Sequence, residues 1–378
     1  MQMLPTHDWL AARAAATPRK PALLIGDRRW RYAELDTAVS RLAAHLHARG
    51  VRPGDHLGML LPNSLTAVCL VHAAARLGAI LVPLNTRLTP AELARQAAHT
   101  DARIVYSPDT AAEWLTVNSQ WLMVNDDWHT TTPLTVNHLP LTNNHLQSLI
   151  FTSGTSGHPK AAMLTFANHF WSATASAYRL GVQPDDLWLS VLPLYHVGGL
   201  AVLFRSCLYG TAVDLHPRFD LDAINHALDT KPITLISLVP TMLHRLLATR
   251  SHWPASLRLI LLGGAAAPPE LVAQANALPR KWFMVNGKRQ MLNNQLPFTN
   301  NHLPLIAPTY GLTEAASQVA TMLPADAVRK PGSVGRPFLF TTIRIVDEAG
   351  RELPPGEPGE IVVSGPTVMA GYYEREPL

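Results

Sequence analysis

Thr152-Ser153-Gly154-Thr155-Ser156-Gly157-His158-Pro159-Lys160 stands directly after the apolar run Ser148-Leu149-Ile150-Phe151. A short buried strand therefore feeds a loop of hydroxyls and glycines, closed by a proline and a lysine. Glycines let backbone approach an anion closely, and successive N–H groups form a concave nest for phosphate oxygens. The hydroxyls of Thr152, Ser153, Thr155 and Ser156 add donors, and Lys160 adds a mobile positive charge. In a Walker A loop the lysine follows the last glycine directly, whereas here His158 and Pro159 intervene. Taken alone, a Ser/Thr/Gly run reads as a flexible loop. The strand before it and the Pro-Lys after it shift the reading toward a phosphate-binding site.

The rest of the chain sets the frame for that loop. Its 378 residues can hold two or more domain-sized cores. Apolar residues make up 47% and charged residues 15%, which fits a soluble globular enzyme. The formal charge of +4 is mild and its positive residues are scattered, so nothing resembles a nucleic-acid-binding tail. Two cysteines, Cys69 and Cys207, lie far apart; they fit a reduced, cytoplasmic setting and give no support to a catalytic thiol. The stretch Ala67–Leu84 is broken by His72 and Arg76, so it reads as a helix and a buried strand, with no stable membrane span. The histidines form no H-E-x-x-H or Cys/His cluster, which argues against a structural metal site.

Short apolar runs alternate with segments of helical period. Strands are expected at Asp55–Leu61, Ala79–Pro83, Arg103–Tyr106, Leu187–Leu192, Ala212–Leu215, Thr234–Leu238 and Leu257–Leu262. Helices are expected at Ser64–Leu77 and Pro90–His99 and after each later strand. That alternation predicts an α/β fold with mostly parallel sheets covered on both faces. From Gly332 the texture changes to antiparallel strands, Thr341–Val346 and Gly359–Val363, around a turn at Glu348-Ala349-Gly350. Two windows, 117–147 and 281–303, contain no alanine and hold ten of the fifteen asparagines. They also repeat each other: Trp121-Leu122-Met123-Val124-Asn125 matches Trp282-Phe283-Met284-Val285-Asn286, and Leu141–Leu146 matches Phe298–Leu303. They read as copies of one repetitive element translated in frame, forming irregular surface excursions. Such long loops add little closure entropy, so the fold can survive them. Transcript sequencing tests this origin.

Three further stretches join the first. They are Thr309-Tyr310-Gly311-Leu312-Thr313-Glu314, Leu262-Gly263-Gly264-Ala265-Ala266-Ala267-Pro268 and Leu192-Pro193-Leu194-Tyr195-His196-Val197-Gly198-Gly199. Together the four resemble the adenylate-forming superfamily of acyl-CoA synthetases, luciferases and peptide-synthetase adenylation domains. The resemblance runs from Trp9 to Tyr373. Gly78–Leu93 and Tyr310–Gln318 look most like the o-succinylbenzoate–CoA ligases of menaquinone synthesis. The resemblance implies the large N-terminal domain of that fold: two αβ-layered subdomains over 1–331, then the start of a small β-barrel-like subdomain over 332–378.

It also implies roles. Thr152, Ser153, Gly154, Thr155, Ser156, Gly157 and Lys160 would hold the β- and γ-phosphates of ATP. Glu314 is the expected Mg²⁺ ligand, because Mg²⁺ takes one or two carboxylates plus phosphate oxygens and waters. Thr313 would donate to the α-phosphate, and Tyr310 and Gly311 would lie against the adenine. Gly263, Gly264 and Ala265 would bring bare backbone against adenine and acyl group. His196 would orient the carboxylate, and Ser317 and Gln318 would face the acyl group. Taken alone, Tyr310–Glu314 reads as a capped turn with Thr313 as helix N-cap, and His196 as a structural histidine. Arg336 reads as structural. The partners implied are ATP, a small carboxylic acid and coenzyme A as co-substrate, with a homodimer left open. Alternatives are an aryl or fatty acyl-CoA ligase, or a non-catalytic nucleotide-binding remnant. In the family an Asp, a hinge and a small lid carrying a catalytic Lys follow the region of Gly371-Tyr372-Tyr373. A chain ending at Leu378 is expected to form acyl-adenylate poorly and thioester hardly at all.

Overall fold

A computed structural model describes residues 8–107, 121–124, 126–133, 142, 144–152, 159–281, 284–285, 288–289 and 305–374. Among these residues two large sheets dominate. The first contains, in spatial order, Trp121–Met123, Arg103–Tyr106, His56–Leu60, Ile80–Pro83, Leu146–Thr152 and Lys160–Thr165. The second runs Arg336–Pro337, Ser317–Thr321, Ile306–Leu312, Leu259–Leu262, Leu235–Leu238, Leu187–Ser190, Ala212–Leu215, Pro21–Ile25 and Arg28–Arg31. Both are parallel at the centre and antiparallel at an edge. The α/β alternation expected from the sequence is therefore present, with strand bounds within a few residues of those expected.

Helices Leu65–Leu77 and Val197–Tyr209 explain how the sheets share a core. Every residue from Ala67 to Leu77 is buried, and Val197–Cys207 is buried at every position but Gly198. Helices apolar all round must be covered on all sides. One apolar cluster accordingly joins them to strand residues of both sheets, including Leu57, Leu81 and Ile150 with Val213, Leu235 and Leu261. Ser64 caps the first of these helices through the Ala67 N–H, and Gly78 ends it in the left-handed conformation. Arg76 on the same helix is almost fully buried and meets Asp8 at 2.7 Å and also Asp36. Burial alone raises the Asp8 carboxyl, but the adjoining guanidinium brings it below the usual carboxylate range. No helix of the described residues is long and apolar enough to cross a membrane.

The two alanine-free windows are only partly described, and their expected character needs correction there. Trp121–Met123 extends the first sheet parallel to Arg103–Tyr106. Val124 and Trp128 are buried in the main core, the latter at 0% exposure, against the helix Tyr32–Ala48. Burial of these two side chains removes apolar surface from water, so the chain at Val124 and Trp128 is core and not surface. Most of 281–303 lies outside the described residues.

The change of texture at Gly332 is a change of pairing, not a break. Thr342–Val346 pairs antiparallel with Glu360–Ser364. On either side the chain returns to the large sheets. Arg336–Pro337 adds to the edge of the second, and residues 370–373 run beside Ala161–Met163 of the first.

Candidate functional site

The candidate residues gather where the parallel strands of the second sheet end. Leu235–Leu238 ends before Val239, Leu259–Leu262 before Gly263 and Gly264, and Ile306–Leu312 before Thr313. Ligands of open parallel sheets bind outside the carboxyl ends of the strands. The glycines are there for space. A Cβ on Gly263 would stand 2.6 Å from Thr309 Cγ2, and Gly264 takes φ +80° beside Val239. The Gly263–Gly264 backbone therefore lies close against the strand that carries Tyr310. Gly264 and Ala265 are exposed, and Tyr310 is half-buried.

Glu314 sits in a tight turn. The chain leaves Leu312, makes one 3₁₀ turn over Thr313–Ala315, and returns as Ser317–Thr321. The expected N-cap role of Thr313 does not hold: Leu312 occupies that position and no side chain caps the turn. Closing the turn forces φ +51° on Ala316 and φ +99° on Ser317. Positive φ on two consecutive non-glycine residues is stored strain of a kind concentrated at functional sites. Ser172 donates to the Ala316 carbonyl at 2.6 Å and pins the strained turn from the helix Phe166–Leu180.

Ser317 and Gln318 are neighbours on a strand, so they point to opposite faces. Gln318 is 3% exposed. Its amide nitrogen donates to Thr321 at 2.9 Å, and its carbonyl oxygen accepts from Ser176 at 3.1 Å. Both ends of the Gln318 amide are thus engaged inside the fold. Ser317 remains half-exposed.

On the first sheet, Leu146–Thr152 and Lys160–Thr165 form an antiparallel hairpin in which Thr152 opposes Lys160. Ser153, Gly154, Thr155, Ser156 and Gly157 lie between them, outside the described residues. The structure does place the exit of that loop against Glu314. The Tyr372 phenol donates to Glu314 Oε1 at 2.8 Å, and the Lys160 ammonium lies 5.1 Å from the centroid of the same ring. The Met369 N–H donates to the Glu314 carbonyl at 2.8 Å. Burial and the Glu314 carboxylate raise the Tyr372 phenol above its usual range, so it stays a donor. Sequence reasoning gave Tyr372 no role. Its signal was an aromatic after Gly371, but the contact spans 58 residues and no local pattern encodes it.

His196 precedes the first turn of Val197–Tyr209, with its ring against Tyr195 at 4.6 Å between centroids. Asn63 braces the approach by accepting from Leu194 N–H and donating to the Leu192 carbonyl. The imidazole reaches solvent, yet surrounding protein withdraws enough water to lower its pKa, with Arg87 adding to the effect. His196 is therefore neutral at neutral pH, with one nitrogen free to donate. Among the described residues no hydrogen bond, ion pair or ring contact ties it to the Glu314 cluster. Arg336, expected to be structural, is an exposed edge-strand residue paired with Thr321.

A magnesium ion fits this donor set. Among the described residues no three His, Cys, Asp or Glu side chains cluster as a closed metal cage. Glu314 offers one half-buried carboxylate, with Oε1 held by Tyr372. One carboxylate completed by phosphate oxygens and water is the usual Mg²⁺ arrangement beside a nucleotide.

Residues 10–373 match the model of the AMP-binding enzyme family. A 2-succinylbenzoate–CoA ligase from Bacillus licheniformis is 36% identical over 377 residues, covering 99% of this chain and 74% of that protein. Among solved structures, the o-succinylbenzoate CoA synthetase of Bacillus subtilis with its acyl-adenylate intermediate superposes with a TM-score of 0.87. It is 34% identical, with 100% of this chain and 72% of that one covered. The same enzyme with ATP and magnesium ion gives 0.85 at 34% identity, covering 98% and 73%. With the family model spanning nearly the whole sequence and these relatives well above 30% identity, the chain belongs to the AMP-binding enzyme family.

Proposed function

We propose that this protein is an ATP-dependent acid–CoA ligase whose acid is o-succinylbenzoate, acting in menaquinone synthesis. The observation that carries the reading is the joining of Lys160, at the exit of the hydroxyl-rich loop, to Glu314 through Tyr372. Support for the acid comes from the relatives, named as 2-succinylbenzoate–CoA ligases and solved with the acyl-adenylate, with ATP and magnesium, and with a CoA product analogue.

In the first half-reaction a carboxylate oxygen of the acid attacks the α-phosphorus of ATP. The bond to the β-phosphate breaks, pyrophosphate leaves, and an acyl-adenylate remains. In the second, the CoA sulfur attacks the acyl carbon, loses its proton, and AMP leaves. Magnesium, when bound, supplies neutralisation of phosphate charge. The chain's own residues bind and orient. Thr152–Gly157 and Lys160 hold the terminal phosphates, and Glu314 offers its carboxylate to the metal. Thr313 donates to the α-phosphate. Tyr310, Gly311, Gly263, Gly264 and Ala265 form the adenine wall. Neutral His196 donates to the acid carboxylate, and Ser317 borders the acyl group. Fixed donors aimed at developing charge in a dry site are the main source of rate in such chemistry.

A cytoplasmic location accompanies the reading. Cys69 and Cys207 are both free, buried thiols whose pKa values burial raises, which suits a reducing compartment. The test is acid-dependent exchange of labelled pyrophosphate into ATP, with o-succinylbenzoate, benzoate and decanoate compared. Exchange highest with o-succinylbenzoate supports the proposal. Highest exchange with either other acid reassigns the substrate, and ATP binding without exchange favours a nucleotide-binding remnant.

A further inference from the structure

We infer that Tyr372 is a positioning residue that presets the Glu314 carboxylate for its metal and links it to the phosphate-loop lysine; the inference rests on the ligase reading above. A side-chain carboxylate on a tight turn has free torsions, and a metal that binds it must bear the cost of ordering them. Here that ordering is built in. The phenol donates to Oε1 at 2.8 Å and leaves Oε2 as the oxygen for a cation. The face of the same ring holds the Lys160 ammonium. One side chain thus touches both charged groups that act on the phosphates.

The ring is itself held firmly. Ala370 and Tyr373 N–H donate to the Met163 and Ala161 carbonyls, and Met163 N–H donates to the Gly371 carbonyl. Asn168 donates through its amide to the Pro366 and Val368 carbonyls at 2.9 and 2.8 Å. Its own oxygen is engaged by Thr165, so the amide has one orientation available. The segment is therefore fixed at Pro366 and Val368 to the helix Phe166–Leu180 and at residues 370–373 to Ala161–Met163. Its Met369 N–H in turn holds the Glu314 backbone. The hairpin leaving the phosphate loop, the Glu314 turn and this segment form one hydrogen-bonded unit with Tyr372 at its centre.

The test compares wild type with Tyr372→Phe, which keeps the ring beneath Lys160 and removes the hydroxyl. Mn²⁺ binding in the presence of a non-hydrolysable ATP analogue is read by electron paramagnetic resonance. Analogue affinity without metal is read by calorimetry. The dissociation constant for Mn²⁺ is expected to rise about fivefold to tenfold on loss of one charge-assisted hydrogen bond. Metal-free analogue affinity is expected to stay within about twofold, since the cation–π contact persists. Tyr372→Leu, with folding checked by circular dichroism, is expected to weaken both. An unchanged Mn²⁺ constant in Tyr372→Phe would reduce the tyrosine to packing and sink the inference. A lowered constant would sink it too, by showing that the phenol competes with the metal. If wild type binds neither analogue nor Mn²⁺, the ligase reading itself has failed, a result distinct from a variant that merely matches wild type.

Discussion

At Gly311 the backbone of one strand touches that of its neighbour. A Cβ there would stand 1.8 Å from the Ser317 carbonyl oxygen and 2.7 Å from its carbon. Backbone cannot yield as a flexible side chain can. Gly311→Ala is therefore expected to destabilise the protein by about 3 kcal/mol or more, read as a lowered urea midpoint with unchanged slope. Alanine at Gly26, where no atom lies within 4 Å, meets only a φ of +57° and is expected to cost about 1 kcal/mol. Equal effects at the two sites would contradict the close approach. Gly311, Thr313 and Glu314 were legible as candidates because glycine and acid recur in a pattern shared by a family. The conformation around them was not. Ala316 and Ser317 adopt left-handed backbone with no glycine or asparagine to announce it. That strain follows from tertiary closure of the hairpin, which residue type does not encode.

At the scale of elements, the segment 365–373 is held by a helix N-terminus. Asn168 completes the capping box of Phe166–Leu180 through its oxygen and tethers the segment through its nitrogen. Asn168→Asp separates the two roles. It keeps the oxygen facing Thr165 and sets a second carboxylate oxygen against two carbonyls. Amide exchange at Met369, Ala370 and Tyr373 is expected to quicken about tenfold, while amides of the helix interior keep their protection. Equal acceleration throughout the helix would show that the segment is not separately tethered. Strands such as Arg103–Tyr106 and Ala212–Leu215 were readable to the residue because β-branched and aliphatic runs are bounded by turn residues. The antiparallel return of Ser317–Thr321 was less readable. So was the burial of Trp128, since asparagine- and proline-rich surroundings carry a loop signature whatever one ring does.

For the whole molecule, the shared core sets a pH dependence. His72 and His169 are fully enclosed in it, and burial lowers their pKa values to about 4 and about 3. His169 is hydrogen-bonded to Ser148 at 3.1 Å and packed on Phe204. The unfolded chain protonates each near pH 6.5, whereas the folded chain does not until far lower pH. Stability is thus complete above about pH 6.5 and falls as pH drops toward the folded values. At pH 5 each histidine costs on the order of 2 kcal/mol. The calorimetric Tm is expected to drop by several degrees between pH 7 and pH 5, and a flat profile would contradict the neutral, buried state. Tyr372 joins the Glu314 turn, at the end of the second sheet's Ile306–Leu312 strand, to Lys160 of the first sheet. Whether that site recognises an acyl-adenylate is most directly measured by calorimetric titration with non-hydrolysable o-succinylbenzoyl, benzoyl and decanoyl adenylate analogues. Tightest binding of the o-succinylbenzoyl form, by about tenfold or more, is the predicted result. Preference for another acyl group, or no binding by the folded protein, would contradict it.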